Sequence, residues 1–299
     1  MHAARRRTLV TPTCFRLAPL LAIAVVAGVA ARAPDTTVTS VASKDGTPIS
    51  VECTGTGPTL LIVHGGTGDR TRWTPLFPLF APRLAVCAMD RRGHGSSGNS
   101  ADYSLQKEAE DVVAVVNSRR GQVFVLGHSF GGVAALEAAF LTDRISRLVL
   151  YEPPLQELDN AAVLVRMERL IADGDREEAL MTFLREIVMV SPGEIAAMRA
   201  RPSWPSLLAS VETSIRQDRA LGAYRFSADR MRGLQTRTLL LTGSKTASPR
   251  LKLAIDSLQH SLPHAELVVL QGQEHNAMDT VPRLFADTVL QFLPGRPDR

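Results

Sequence analysis

No HExxH pair, no paired cysteine ligands and no glycine fingerprint after the first apolar run occur in the 299 residues. Motif-borne zinc sites and dinucleotide-binding folds are thereby set aside, and neither a metal nor a cofactor is expected. His64-Gly65-Gly66 leads to no Lys-Ser/Thr ending, so a phosphate loop is missing too. No repeat recurs, nothing is low in complexity, and no Lys/Arg tract offers a footprint for nucleic acid. Cysteine is scarce, with three in the chain. Cys14 lies in an N-terminal leader, while Cys53 and Cys87 fall in strand-like runs. Free buried thiols are the expectation there, because a disulfide needs geometry that spacing alone does not supply.

The leader occupies residues 1–33. It has an Arg-rich head, an apolar run from Leu17 to Ala31, and an Ala31-Arg32-Ala33 end, with Pro34 following. That is the layout of a secretory signal, and its apolar run is short for a membrane span. Export is the expectation. An uncleaved leader would anchor the protein to a membrane, and a start site further along would leave it in the cytoplasm. Five of the 34 basic residues lie in this leader, which leaves 29 against 30 acidic residues, a net of −1. The basic balance of the whole chain therefore implies no acidic partner, and the partner to expect is a small-molecule substrate.

After the leader, short apolar runs alternate with helical patterns. TVTSVAS and PISVEC flank KDGT and read as a hairpin. TLLIVHG, RLAVCAMD, QVFVLGHS, SRLVLYEP, TLLLTGS and ELVVLQG are each too apolar for a strand with one wet face. Both faces should be covered, as in a parallel sheet. The layout is doubly wound α/β, a mostly parallel eight-stranded sheet. Some eighty residues between LVLYEPP and TLLLTGS lack a convincing strand but carry helical spacing, broken at Gly174. They predict a helical cap at 155–233, inserted into a core formed by 34–154 and 234–299.

Three stretches carry chemistry. Gly127-His128-Ser129-Phe130-Gly131 matches G-x-S-x-G between an apolar strand and a small-residue helix, the context of a nucleophile elbow. The strand ending in His64-Gly65-Gly66 offers backbone N–H groups for an oxyanion hole: Gly66 and Phe130 are the expected donors, Thr67 the alternative to Gly66. His64 is expected to orient that loop. His275 follows the last strand and precedes the final helix, so nucleophile comes first and base last. A serine hydroxyl needs such a base to attack.

Together HGGTG, AMDRRGHGSSG, GHSFGG and GQEHNAMD resemble the α/β-hydrolase superfamily over roughly Val38 to Leu293, most closely its capped small-molecule hydrolases. The resemblance implies a serine hydrolase, with Asp90, Arg92, Gly93, Gly95 and Ser96 as architecture. It also places the second strand beside the fourth, bringing Cys53 near Cys87. One part is missing. The family's acid usually follows the seventh strand as Gly-x-x-Asp, and here that position reads Gly243-Ser244-Lys245-Thr246. Thr246 could accept a hydrogen bond but brings no charge. Among four carboxylates, Asp256 lies within a predicted helix, Glu274 adjoins His275, and Asp279 is expected to cap the last helix. Glu152, just beyond the sixth strand, matches members that take their acid there. It is the candidate triad acid.

The reading that follows is hydrolysis of a small, largely apolar ester or lactone through an acyl-enzyme, with Trp73, Met198 and Trp204 as candidate pocket residues. Carbon–carbon hydrolysis or cofactor-free perhydrolysis would use the same nucleophile. A non-catalytic binding protein that has lost its acid is the alternative of another class.

Overall fold

The computed structural model describes residues 36–155 and 160–294; the leader, with Cys14, lies outside the described residues. The hairpin pair and the six apolar runs form eight strands. These are β1 (Thr37–Ala42), β2 (Pro48–Thr54), β3 (Thr59–Val63), β4 (Ala85–Met89), β5 (Val123–His128), β6 (Ile145–Tyr151), β7 (Thr238–Gly243) and β8 (Ala265–Leu270). They make one sheet in the order 1-2-4-3-5-6-7-8, with β2 antiparallel to β1 and β4 and every other pairing parallel.

Side-chain alternation shows why these runs are so apolar. In β3, Leu61 and Val63 enter one hydrophobic cluster, and Leu60 and Ile62 enter another on the opposite face. β5 and β6 divide in the same way, Val123 and Val125 against Phe124 and Leu126, Leu148 and Leu150 against Val149 and Tyr151. Such a strand is buried on both sides, so period-2 polarity disappears. β8 departs from this. It is an edge strand, and Val269 is 39% exposed despite the apolar run.

The helices are α1 (Phe77–Phe80), α2 (Leu105–Ser118), α3 (Phe130–Ala139), α4 (Ala161–Ala172), α5 (Arg176–Thr182), α6 (Pro192–Arg199), α7 (Trp204–Ala209), α8 (Val211–Gly222), α9 (Ala228–Arg232), α10 (Pro249–Ser261), α11 (Ala277–Thr280) and α12 (Pro282–Phe292). α2, α3 and α10 cover one face of the sheet; α1, α11 and α12 cover the other. Ser104 caps α2 by accepting from the Lys107 N–H at 3.3 Å. Helices α4 to α8 are inserted between β6 and β7 and share a hydrophobic cluster of their own. Gly174, at φ +85°, breaks α4 from α5. α5 runs on into a π-helical turn, Phe183–Val188. α9 differs from the inserted helices, because Met231 packs with the cluster under the sheet. Among the described residues no helix is long and apolar enough to cross a membrane.

The cysteines correct the expectation of free thiols. Cys53 and Cys87 face each other in the β2–β4 register and are joined by a disulfide. Strand pairing provides the proximity that spacing could not. The bond spans 34 residues, and chain-entropy reasoning assigns such a loop a stabilisation of about 3–4 kcal/mol. A Cys53→Ser/Cys87→Ser protein should therefore melt roughly 6–15 °C lower than the wild type. Equal melting temperatures with and without reductant would count against the bond.

Candidate active site

The sheet order brings the relevant strand tips together. β5, β6, β7 and β8 are consecutive neighbours, with His128 opposite Tyr151, Tyr151 opposite Leu241, and Gly243 opposite Leu270. Ser129, Glu152, the Ser244–Thr246 loop and the segment leading to His275 thus leave the sheet side by side.

Ser129 adopts φ 52°, ψ −126°, a strained conformation between strand and helix. Its N–H donates to the Tyr151 carbonyl at 2.9 Å, and its own carbonyl accepts from Gly132 at 2.8 Å. The flanking glycines are required by space. A Cβ on Gly127 would lie 2.6 Å from the Gly131 oxygen, and one on Gly131 would collide with the His64 and Val63 carbonyls. The Ser129 backbone opens α3, whose N-terminus favours negative charge nearby.

Glu152 is fully buried and, at φ 46°, is one of three non-glycine residues with positive φ among those described. Its Oε2 lies 2.6 Å from His275 Nδ1. Its Oε1 accepts from Thr242 Oγ1 at 2.8 Å, the Gly243 N–H at 2.8 Å and Thr246 Oγ1 at 2.6 Å. Burial pushes the Glu152 carboxyl up. The His275 hydrogen bond and charge, with the Thr246 and Gly243 donors, outweigh it and hold the group below the ordinary glutamate range. Thr246 differs from expectation: it donates to the carboxylate and leaves His275 alone. The β7 loop, which lacks an acid of its own, forms the cradle for one on β6.

With Nδ1 committed to Glu152, His275 has Nε2 available for Ser129. Its loop is pinned from below. His128 Nε2–H donates to the His275 carbonyl at 3.0 Å, and Tyr151 Oη accepts from the Ala277 N–H at 3.1 Å while donating to the Glu274 carbonyl. Burial, then the charges of His275 and Arg72, hold His128 well below the ordinary histidine range, so it acts as a neutral donor. His64 is likewise held neutral, by burial first and the Arg91 charge second. It accepts from the Arg91 N–H at 3.1 Å and donates Nδ1–H to the Gly65 carbonyl at 2.9 Å, which orients the Gly65-Gly66 turn.

Two cavities of about 30 Å³ each meet at this point, and Gly66, Ser129, Phe183, Val188 and His275 line both. Phe130, Leu221 and Arg250 belong to one; Thr67, Arg72 and Met198 to the other. Cavities of that size hold only a few waters each, so a substrate needs the cap side chains to move. Phe183 and Val188 come from the π-turn, a feature frequent at functional sites.

Two pocket expectations are corrected. Trp73 is wholly buried beneath the elbow, edge-on to His128 at 5.9 Å and tilted on Phe285 at 6.0 Å, and it lines neither cavity. Trp204 fills the cap's own core with the Arg199 guanidinium 5.8 Å from its ring centre, and also lines neither. In both cases the large apolar ring packs inward. Met198 does line a cavity. Asp279 does not cap the last helix: it accepts from Arg72 at 2.6 Å and pairs with Arg201 of the inserted segment at 3.4 Å. The lining is also less apolar than expected, since Arg72, Gln217, Asp218 and Arg250 take part. Such polar residues have no motif and read in sequence as helix surface. Among the described residues no cluster of His, Cys, Asp or Glu is arranged to hold a metal ion.

Residues 60–288 match the model of the alpha/beta hydrolase family. The solved structure of an alpha/beta hydrolase from Sphaerobacter thermophilus is 33% identical, covers 85% of this chain and 99% of its own, and superposes with a TM-score of 0.73. The pimeloyl-[acyl-carrier protein] methyl ester esterase of Aeromonas hydrophila is 26% identical over 260 residues, 82% of this chain and 99% of that protein. An uncharacterized Mycobacterium tuberculosis protein is 36% identical over 101 residues, 32% of this chain, but that match spans only 29% of the relative's length.

Proposed function

The chain belongs to the alpha/beta hydrolase family, and on that premise we propose that it is a serine hydrolase acting on a small carboxylic ester or lactone. The observation that carries this reading is the 2.6 Å contact between Glu152 Oε2 and His275 Nδ1, behind a serine held in the elbow conformation. Ser129 Oγ attacks the carbonyl carbon while His275 Nε2 takes its proton. Glu152 accepts the Nδ1–H bond and stabilises the imidazolium. The N–H of Phe130, with that of Gly66 or Thr67, receives the oxyanion. The imidazolium returns its proton to the leaving alcohol, leaving an acyl-Ser129 ester. Water, deprotonated by the same histidine, then hydrolyses that ester. The esterase among the relatives supports this chemistry. The alternative of a binding protein without an acid is disfavoured by the cradle that holds Glu152 ionised and aimed at the ring.

Export is part of the proposal. The Cys53–Cys87 bond supports it, because disulfides persist in oxidising compartments and are rare in the cytosol.

A fluorophosphonate probe tests the reaction directly. It should label the folded protein once, at Ser129, and Ser129→Ala should lose both label and hydrolysis of short-chain nitrophenyl esters. Folded wild-type protein that takes no label would sink the serine-hydrolase reading.

A further inference from the structure

Arg250, the second residue of α10, is a buried cation that the protein leaves without a close partner. Its side chain is 9% exposed and lines the same cavity as Ser129 and His275. Nη2 donates to the Ile187 carbonyl at a long 3.4 Å, Nη1 stands 4.0 Å from Asp218 Oδ1, and Nε has no hydrogen-bond partner. The other buried guanidinium groups around the site have closer partners, although Arg91 Nε also lacks one. Arg92 meets Asp111 twice at 2.6 Å, and Arg72 meets Asp279 and Asn276 at 2.6 Å. Arg91 holds Gln217 at 2.8 Å and Glu108 at 3.3 Å, with the Phe130 ring 4.6 Å away.

A guanidinium cannot escape burial by losing its proton, and an unpaired buried charge is costly. Asp218 is a weak internal partner. Its Oδ2 is occupied by Asn160 Nδ2 at 2.8 Å, and burial pushes its carboxyl up, against the lowering effects of Asn160 and Arg250. The planar fork of arginine matches a carboxylate with two parallel hydrogen bonds, and Arg250 lines the cavity that Ser129 and His275 also line.

We propose that Arg250 is a substrate-binding residue that receives a carboxylate, and that the enzyme acts on half-esters of short dicarboxylic acids. The proposal rests on the serine-hydrolase reading and deepens it. In the bound state, with the cap side chains shifted, the free carboxylate takes two N–H groups of Arg250 while the ester carbonyl lies against Ser129. Ser129 and Arg250 line one cavity, so the acid needs only a few carbons between its two ends. A neutral ester of equal length leaves Arg250 as unsatisfied as in the free protein.

The test compares monomethyl glutarate with methyl valerate. Wild-type kcat/KM should favour the half-ester by roughly 10- to 100-fold, the size of a charge-assisted hydrogen bond. Arg250→Met should erase that preference, and Arg250→Lys, which keeps the charge but loses the fork, should retain part of it. Glutarate itself should bind Ser129→Ala protein in calorimetry, at least tenfold more weakly once Arg250→Met is added. Equal wild-type rates on the two esters, or a preference that survives Arg250→Met, overturn the proposal. If Arg250→Met does not fold, the wild-type ratio and the Arg250→Lys protein still decide. Fluorophosphonate labelling keeps the two readings apart. A labelled protein without carboxylate preference loses only this substrate class, whereas an unlabelled one that still binds glutarate through Arg250 loses the hydrolase reading.

Discussion

Glu152→Gln is expected to lower kcat roughly 10³- to 10⁴-fold, the size of effect that follows when a triad acid becomes an amide, in a protein that stays folded. The cradle explains why an isosteric change should matter so much. Thr242, Gly243 and Thr246 present three donors to Oε1. A glutamine must answer them with its carbonyl oxygen, because turning the amide would set N–H against O–H and N–H. Its NH₂ then faces His275 Nδ1, which can only accept. The proton moves to Nε2, and the ring presents a donor to Ser129 where the reaction needs an acceptor. The barrier rises by roughly 4–5.5 kcal/mol. A kcat within a few-fold of wild type would remove Glu152 from the mechanism.

The same substitution carries a pH signature. The Glu152 carboxyl is held below its ordinary value of 4.5 in the folded protein. Its contribution to stability is therefore complete above that value, where both folded and unfolded chains carry the charge. It is lost as pH falls through the lowered folded value, because the unfolded chain binds the proton first. Melting temperature should fall less steeply below pH 4.5 in Glu152→Gln than in wild type, and parallel acid limbs would contradict the linkage.

What the amino-acid sequence discloses on its own depends on the kind of residue. The buried strands are legible because a strand covered on both faces has no polar alternation to hide. Their edge is not, since ELVVLQG is as apolar as TLLLTGS although Val269 is exposed. Glu152 stands out through the want of an acid after β7, and the fold brings it within 2.6 Å of His275. The cradle is out of reach, because a threonine near the end of a strand, as Thr242, or three residues beyond it, as Thr246, carries no sign of the carboxylate it will meet. Arg250 stands in plain view at a helix start, where arginine ordinarily points to solvent. Only the covering cap makes it a buried charge. The tryptophans mislead for the opposite reason: a large apolar ring suits a pocket and a core equally well, and sequence does not say which is nearer.

Gly131→Ala is expected to damage fold and site together. The added Cβ would overlap the carbonyl oxygens of His64 and Val63 and lie 2.8 Å from the Val63 carbonyl carbon. These are backbone atoms at the end of a central strand, so no rotamer change makes room. α3 must draw away from β3, at a cost at or above the upper end of ordinary overpacking, about 3 kcal/mol. For a chain of this size that lowers the melting temperature by roughly 6–12 °C. The same displacement carries the Phe130 N–H, at the start of α3, away from Gly66, at the end of the His64 turn. Ester hydrolysis by the surviving folded fraction should fall as well. Gly193→Ala is the control. It lies in the first turn of α6, where a Cβ would meet nothing within 4 Å, so no loss of melting temperature is expected. If the two variants melt alike, the close approach of α3 to β3 is not what holds the elbow in place.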